Sequence, residues 1–230
     1  MGGGDGVNDW SCIGAVPAPE FMPGSAVGNI RVGELLDDRP MPDITVRVCR
    51  AVDMTCAPLD EGVTDAQGAV TLDVTTAEQR YLELEGPDML PALSFYNGPP
   101  RNDPFDELVR VLAPTTFAAL EALLEITGDP QRGHAGVQAN DCRGEIGVGV
   151  TFEVSTADAS TLVGYFDPSG VPDPTLIETS SDGRAAIANI PTGPGVLTAK
   201  IGATIIGTRT FFARAGTISY PACVEAAPEP

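Results

Sequence analysis

The feature that most constrains this chain is a short run of period-two alternation that recurs along it, cut off each time by Pro, Gly or Asp. "ITVRVCR" sets Ile44, Val46 and Val48 against Thr45, Arg47 and Cys49. "GAVTLDV" and "RYLELEG" continue with Val70, Leu72 and Val74, then Tyr81 or Leu82 opposite Glu83 and Glu85. A two-residue period places alternate side chains on opposite faces of a strand. Runs of this kind at intervals of about 8–12 residues argue an antiparallel β-sandwich. "DELVRVLAP" closes a first set. The pattern resumes in "HAGVQANDC", "VGVTFEVS", "RAAIANI", "GVLTAKI" and "TIIGTRTFFA". With 21 Pro and 26 Gly among 230 residues, many short elements and many turns are expected.

One segment breaks the alternation. "PTTFAALEALLEITGDP", 114–130, places Phe117, Leu120, Leu123, Leu124 and Thr127 three and four residues apart, opens with Pro and closes with Gly128 and Pro130. Those are helix start and stop signals, and the spacing predicts a helix over 115–127 packed on a neighbouring sheet.

On either side of this helix the order of features repeats: alternating strand, interruption, Thr or Ser, Asp, Gly, alternating strand. Gly68 aligns with Gly183 at an offset of 115 residues, and Val46 with Val150 at 104. The order reads as an internal duplication in which the second copy carries about ten extra residues, in or near "YFDPSGVPDP", 165–174. The expected organisation is a flexible tether (1–24), a first β-sandwich (25–113), a linking helix (114–130), a second β-sandwich (131–224) and a disordered tail (225–230).

Charge limits the partners. Thirty-two acidic against 13 basic residues give a net charge of −19, and Lys200 is the sole lysine. Nucleic acids demand a basic face, so they are excluded, as is electrostatic docking on anionic lipid. No stretch approaches the roughly 20 apolar residues of a membrane span, and no signal-peptide apolar region is present. Any membrane contact would come through an N-terminal lipid anchor, with Met1 standing where a lipidated cysteine would be, ahead of the Gly/Asp-rich start.

Five cysteines and a single histidine do not make a zinc cluster. Disulfides in an oxidising compartment account for them. Cys49 and Cys56 are spaced for a local bridge across a loop. Of Cys12, Cys142 and Cys223, two are free to pair and one is left over, and the sequence does not choose among them.

"GVTDAQGAVTLDV" and "ETSSDGRAAIANIPTGPGVLTAKI" resemble the middle of carboxypeptidase regulatory-like domains, which are transthyretin-like β-sandwiches. The order of cysteine pair, turn, helix and second sandwich is similar to tandem envelope lipoproteins of Gram-negative bacteria. The second unit keeps only Asp182-Gly183 of the longer turn. The resemblance implies an accessory, non-enzymatic protein of the cell surface, outer membrane or periplasm. Its partners would be other envelope or surface proteins, or a surface polysaccharide, and it brings no catalytic residue.

Candidate sites follow from residue type. Asp65 and Gly68 in "EGVTDAQGAVTL" lack the alternating oxygens and closing Glu of a calcium loop, so they read as a turn. "DPSGVPDP" and "DDRPMPD" cluster carboxylates where calcium could sit, although no cofactor is required. The extra loop offers Tyr165 and Phe166 to stack on a sugar, with Asp167 or Asp173 accepting its hydroxyls. "LSFYNGPP" offers Phe95, Tyr96 and Asn97 similarly. An alternative reading is therefore a carbohydrate-binding protein. A hydrolase working through two carboxylates is a third, but no pair stands out, and His134 lies in an alternating strand with no nucleophile motif nearby.

Overall fold

The structure, a computed structural model, describes residues 8–13, 19–96, 98–100 and 102–221, together with the backbone of 224–225. It is mainly β, as the alternation requires. The elements are β1 (Ser25–Glu34), β2 (Thr45–Arg50), β3 (Asp60–Val63), β4 (Ala69–Thr75), β5 (Arg80–Glu85), β6 (Ala92–Tyr96) and β7 (Phe105–Val111), then α1 (Pro114–Leu123). After the helix come β8 (Gly133–Asn140), β9 (Val150–Val154), β10 (Leu162–Phe166), β11 (Pro172–Asp173) and β12 (Arg184–Ile190). β13 (Gly193–Ile201), β14 (Thr204–Ala213), β15 (Ile218–Tyr220) and β16 (Val224–Glu225) complete the chain.

These strands form one long central sheet and two three-stranded sheets. The central sheet runs β11-β10-β12-β8-β15-β6-β5-β2-β3, with β16 also on β8, and the smaller sheets run β4-β1-β7 and β14-β13-β9. β15 closes the central sheet by pairing parallel with both neighbours, Ile218 opposite Ala92 of β6 and opposite His134 of β8. The halves before and after the helix therefore share a continuous sheet as well as the helical connection.

Strand alternation assigns a core to each face of that sheet. In β5, Tyr81 belongs to one buried cluster, while Leu82 and Leu84 belong to the other. β2 divides likewise, with Cys49 in the first cluster and Val46 and Val48 in the second. The sheet β4-β1-β7 contributes Ile30, Val32, Leu72, Val74, Val109 and Val111 to the second cluster, and so covers one face. The sheet β14-β13-β9 contributes Phe152, Leu197, Phe211 and Phe212 to the first, on the opposite face. Tyr81, Phe95 and Phe212 interlock there, with ring centroids 5.1–5.3 Å apart. This double coverage is why β5 is buried at five successive positions instead of at every second one.

Local polar bonds recur in both halves. The Thr64 hydroxyl donates to the Met41 carbonyl and accepts from the Ile44 amide, at 2.8 and 2.9 Å. The Thr179 hydroxyl does the same with Gly147 and Val150, at 2.7 and 2.9 Å. Four residues on from each threonine, Gly68 and Gly183 both take φ near +72°. At Gly68 a Cβ would lie 2.5 Å from the Val32 carbonyl oxygen, so only glycine fits. The Asp65 carboxylate accepts from the Gln67 and Ala69 amides at 2.9 Å, which makes the stretch a tight turn.

The helix ends at Leu123, four residues before the expected 127. Glu125 takes φ +55°, the Ile126 amide bonds back to the Glu121 carbonyl at 2.9 Å and Glu125 to Ala122 at 3.4 Å. This is the left-handed closure usually given to glycine, and it stops the chain before Thr127 and Gly128 are reached.

Among the described residues two disulfides are present, Cys49–Cys56 with Cα atoms 5.2 Å apart, and Cys12–Cys142 at 5.8 Å. Cys223 lies outside the described residues, as do 1–7, 14–18 and 226–230, so half of the expected tether and nearly all of the expected tail are not described. Asn8–Ile13, within that tether, is fastened to the second half: the Asp9 amide donates to Asp141, the Asn8 side chain bonds Ile146 and Val148, and Trp10 packs on the first core.

Arg214, just after β14, ties the covering strand to the central sheet. Its guanidinium bonds the buried carboxylate of Glu83, the Met54 carbonyl at 2.6 Å and the Tyr81 hydroxyl at 3.0 Å. Arg47 approaches the other Glu83 oxygen at 2.9 Å. Replacing Arg214 with Met should cost about 2–4 kcal/mol in a chemical-denaturation experiment, because Glu83 keeps its burial and loses a partner. Adding Glu83→Gln should recover part of that loss.

Candidate functional site

The sheet β4-β1-β7 covers its face of the central sheet over β2, β5 and β6, and so one stretch of that face is left without a sheet above it among the described residues. There, on the side away from the first core, β8 and β12 present His134, Gly136, Gln138, Arg184, Ala186 and Ala188. The alternate residues Ala135, Val137, Ala185 and Ile187 point into that core. The result is a groove of about 600 Å³. One wall is α1 with Phe117 and Leu120, the other is β7 at Leu108–Arg110 with Leu112, and Ile218 and Tyr220 of β15 line the floor between them.

The helix is held over the groove at both ends. The Thr116 hydroxyl donates to the buried Glu34 carboxylate at 2.9 Å. At the other end Leu124 rests directly on Gly164 of β10, where a Cβ would meet the leucine at 2.5 Å. No residue within α1 itself is fully buried, and its stripe lies only half on the sheet.

Polar groups in the groove fall into two kinds. Arg184 is tied bidentately to Asp182, both bonds 2.7 Å, and lies 5.4 Å over the Phe166 ring; Arg110 is tied to Asp38 at 2.7 Å. These pairs are neutralised. His134 and Tyr220 differ: His134 is only 6% exposed with no partner at Nδ1, and the buried Tyr220 hydroxyl likewise has none. The His134 ring meets Phe117 edge-on at 4.7 Å. Burial lowers its pKa, with Asp129 opposing weakly. Burial, helped by the charge of Glu34, raises that of Tyr220.

The residues singled out in sequence lie mostly elsewhere. Tyr165 is 5% exposed, points into the first core, and accepts from the Phe152 amide at 3.3 Å. Phe95 is in the same core against Tyr81, Phe211 and Phe212. Tyr96 lies beneath the Arg80 guanidinium, 4.8 Å away, and burial raises its pKa. Their rings are therefore not a stacking platform. Strand alternation carries them inward, although their Pro- and Gly-rich surroundings read as surface. Phe166 alone of the six lines the groove, under Arg184. Asn97 lies outside the described residues.

Asp167 accepts from the Ser169 hydroxyl and amide and the Val171 amide; Asp173 accepts from the Thr175 amide and hydroxyl. Side-chain bonds to Ser169 and Thr175 lead the lowering of their pKa values. Each carboxylate commits its Oδ1 to its own turn. Of the cysteines that approach Glu83, both are oxidised to a disulfide, so the trio offers no thiolate to a metal. The groove was missed because its lining comes from seven separate elements, α1 and the strands β6, β7, β8, β10, β12 and β15. Its one local signal is the set of small residues Gly136, Ala186 and Ala188 on the strand parity that faces away from the first core.

No known family model matches the chain, and no curated protein matches it. Solved structures to which it is similar include the Bacillus anthracis TIE protein, 11% identical with a TM-score of 0.31, over 85% of this chain and 33% of that one. The chain thus spans about a third of that protein's length. Others are the shaft pilin SpaA of Lactobacillus rhamnosus GG (8% identity, TM-score 0.29, 87% and 98% of the two chains) and GBS52, a minor pilin of Streptococcus agalactiae (14%, 0.27, 90% and 98%). At these scores the likeness carries no argument about function.

His134 is the only histidine, which isolates its titration. Its folded pKa is below the unfolded value near 6.5, so the unfolded chain binds more protons as pH falls and stability drops with it. Wild-type protein should lose stability when pH is lowered from about 7 to about 5, and His134→Phe should flatten that slope in denaturation midpoints taken across the range.

Proposed function

We propose that the chain is a non-enzymatic extracytoplasmic module, a braced β-body that makes contacts with other surface or envelope proteins. The observation that carries this reading is the Cys12–Cys142 disulfide, which joins residues 130 positions apart. A cross-link of that reach persists in an oxidising compartment, where it adds most to a chain by restricting its unfolded state. Cys49–Cys56 is a second, local brace within the first half, and the Arg214–Glu83 contact with the β15–β6 pairing ties the two halves together. An acidic surface suits solubility outside the cell and favours basic partners.

The finer assignment, to tandem carboxypeptidase regulatory-like sandwiches of envelope lipoproteins, rests on the turn motif and the cysteine order. The matching bonds of Thr64 and Thr179 support reading the halves as copies of one unit. The polysaccharide alternative loses its basis with the burial of Tyr165 and Phe95.

Thiol titration tests the central claim. Protein taken from its native compartment and unfolded without reductant should expose one reactive thiol of its five cysteines, and five after reduction. Four or five before reduction would overturn the extracytoplasmic reading. Cys12→Ser with Cys142→Ser should lower stability by about 4–5 kcal/mol, and Cys49→Ser with Cys56→Ser by about 2–3 kcal/mol, since loop length sets the chain-entropy term.

A further inference from the structure

The groove is bounded by a free strand edge. β7 ends the order β4-β1-β7, and among the described residues no strand pairs with its second edge. That edge, at Leu108–Arg110, is one wall of the groove, and the floor is the uncovered part of the central sheet. We propose that the groove is a strand-docking site, in which an extended segment of a basic partner protein pairs with the free edge of β7 and lays alternate apolar side chains on β8 and β12.

The geometry of sandwiches fixes what fits. The sheet β4-β1-β7 already packs across β2, β5 and β6 through the second core. One more strand at β7, about 4.8 Å further on, would lie over β15 and β8 at the same sheet-to-sheet separation of about 10 Å. Its inward side chains would fill the space above Gly136, Ala186 and Ala188, with Phe117 and Leu120 of α1 closing the far side. Gly136 is fixed by an internal need, because a Cβ there would meet the Tyr220 ring at 2.8 Å. Ala186 and Ala188 line the groove with side chains of a single methyl group, which leaves room above them. Strand addition of this kind takes affinity from main-chain bonds and specificity from pockets for alternate residues.

One further observation narrows the occupant. The net charge of −19 sets two copies of the chain against each other and favours a segment with Lys or Arg at its flanks. The occupant is therefore a partner's strand, apolar on one parity and basic at its ends.

This proposal shares with the functional reading only that the partner is a protein; the thiol count can fail without touching it. A phage-displayed library of random 12-residue peptides, panned on the full chain, tests it, with Ala186→Leu/Ala188→Leu protein as the groove-filled control. Peptides enriched on the wild type should alternate apolar residues with basic flanks, and bind the filled variant at least tenfold more weakly. N-methylating one alternate set of their backbone amides should abolish binding while every side chain is kept. If the double variant does not fold, Leu120→Arg on the half-exposed helix wall replaces it. No enrichment over the control, equal binding to both proteins, or indifference to N-methylation on both sets would each overturn the proposal.

Discussion

The whole arrangement depends on one sheet being buried on both of its faces. A strand buried on one side needs apolar residues at every second position, but β5 must satisfy both sides at once. Tyr81 serves the core under β14 while its neighbours Leu82 and Leu84 serve the core under β1. This couples the halves energetically, because losing either covering sheet exposes one parity of the same strands. The buried charge follows from it: Glu83 shares its parity with Tyr81, and Arg214 and Arg47 reach it from two directions. Such a group is tolerated inside a protein only when paired.

Much of this could be read from residues alone. The alternating runs became strands, the Asp65–Gly68 turn formed for the reason turn chemistry gives, and the Cys49–Cys56 bridge closed its loop. The shared sheet could not be read. It depends on three residues of β15 inserting parallel between β6 and β8, and Ile218 meets Ala92 across more than half the chain. Nothing local in "TISY" encodes that register. The helix end was hidden for a different reason: Glu125 carries a left-handed backbone that composition assigns to Gly128.

The site showed the same limit more sharply. Aromatic residues beside Pro and Gly suggested an exposed loop, yet Tyr165 and Phe95 sit on the inward parity of β10 and β6 and were drawn into the core. The groove arises by subtraction, from where the sheet β4-β1-β7 stops, and a subtraction leaves no motif. Gly136, Ala186 and Ala188 on the outward parity of β8 and β12 are its trace in the sequence, and they acquire meaning once the topology shows that, among the described residues, no sheet lies above them.

The Cys12–Cys142 bond also sets how the chain carries load. Tension entering at Cys12 and leaving near Pro221 has its covalent path through sulfur to Cys142, which skips residues 13–141. The skipped residues still share the load through the sheet, because β15, beside Pro221, is paired with β6 of the first half as well as with β8. Reduction would thread them back into the covalent line and lengthen the extensible chain by the whole of the bypassed segment. The sulfur bond thus caps how far the chain can be drawn out, while hydrogen bonds decide which strands resist first.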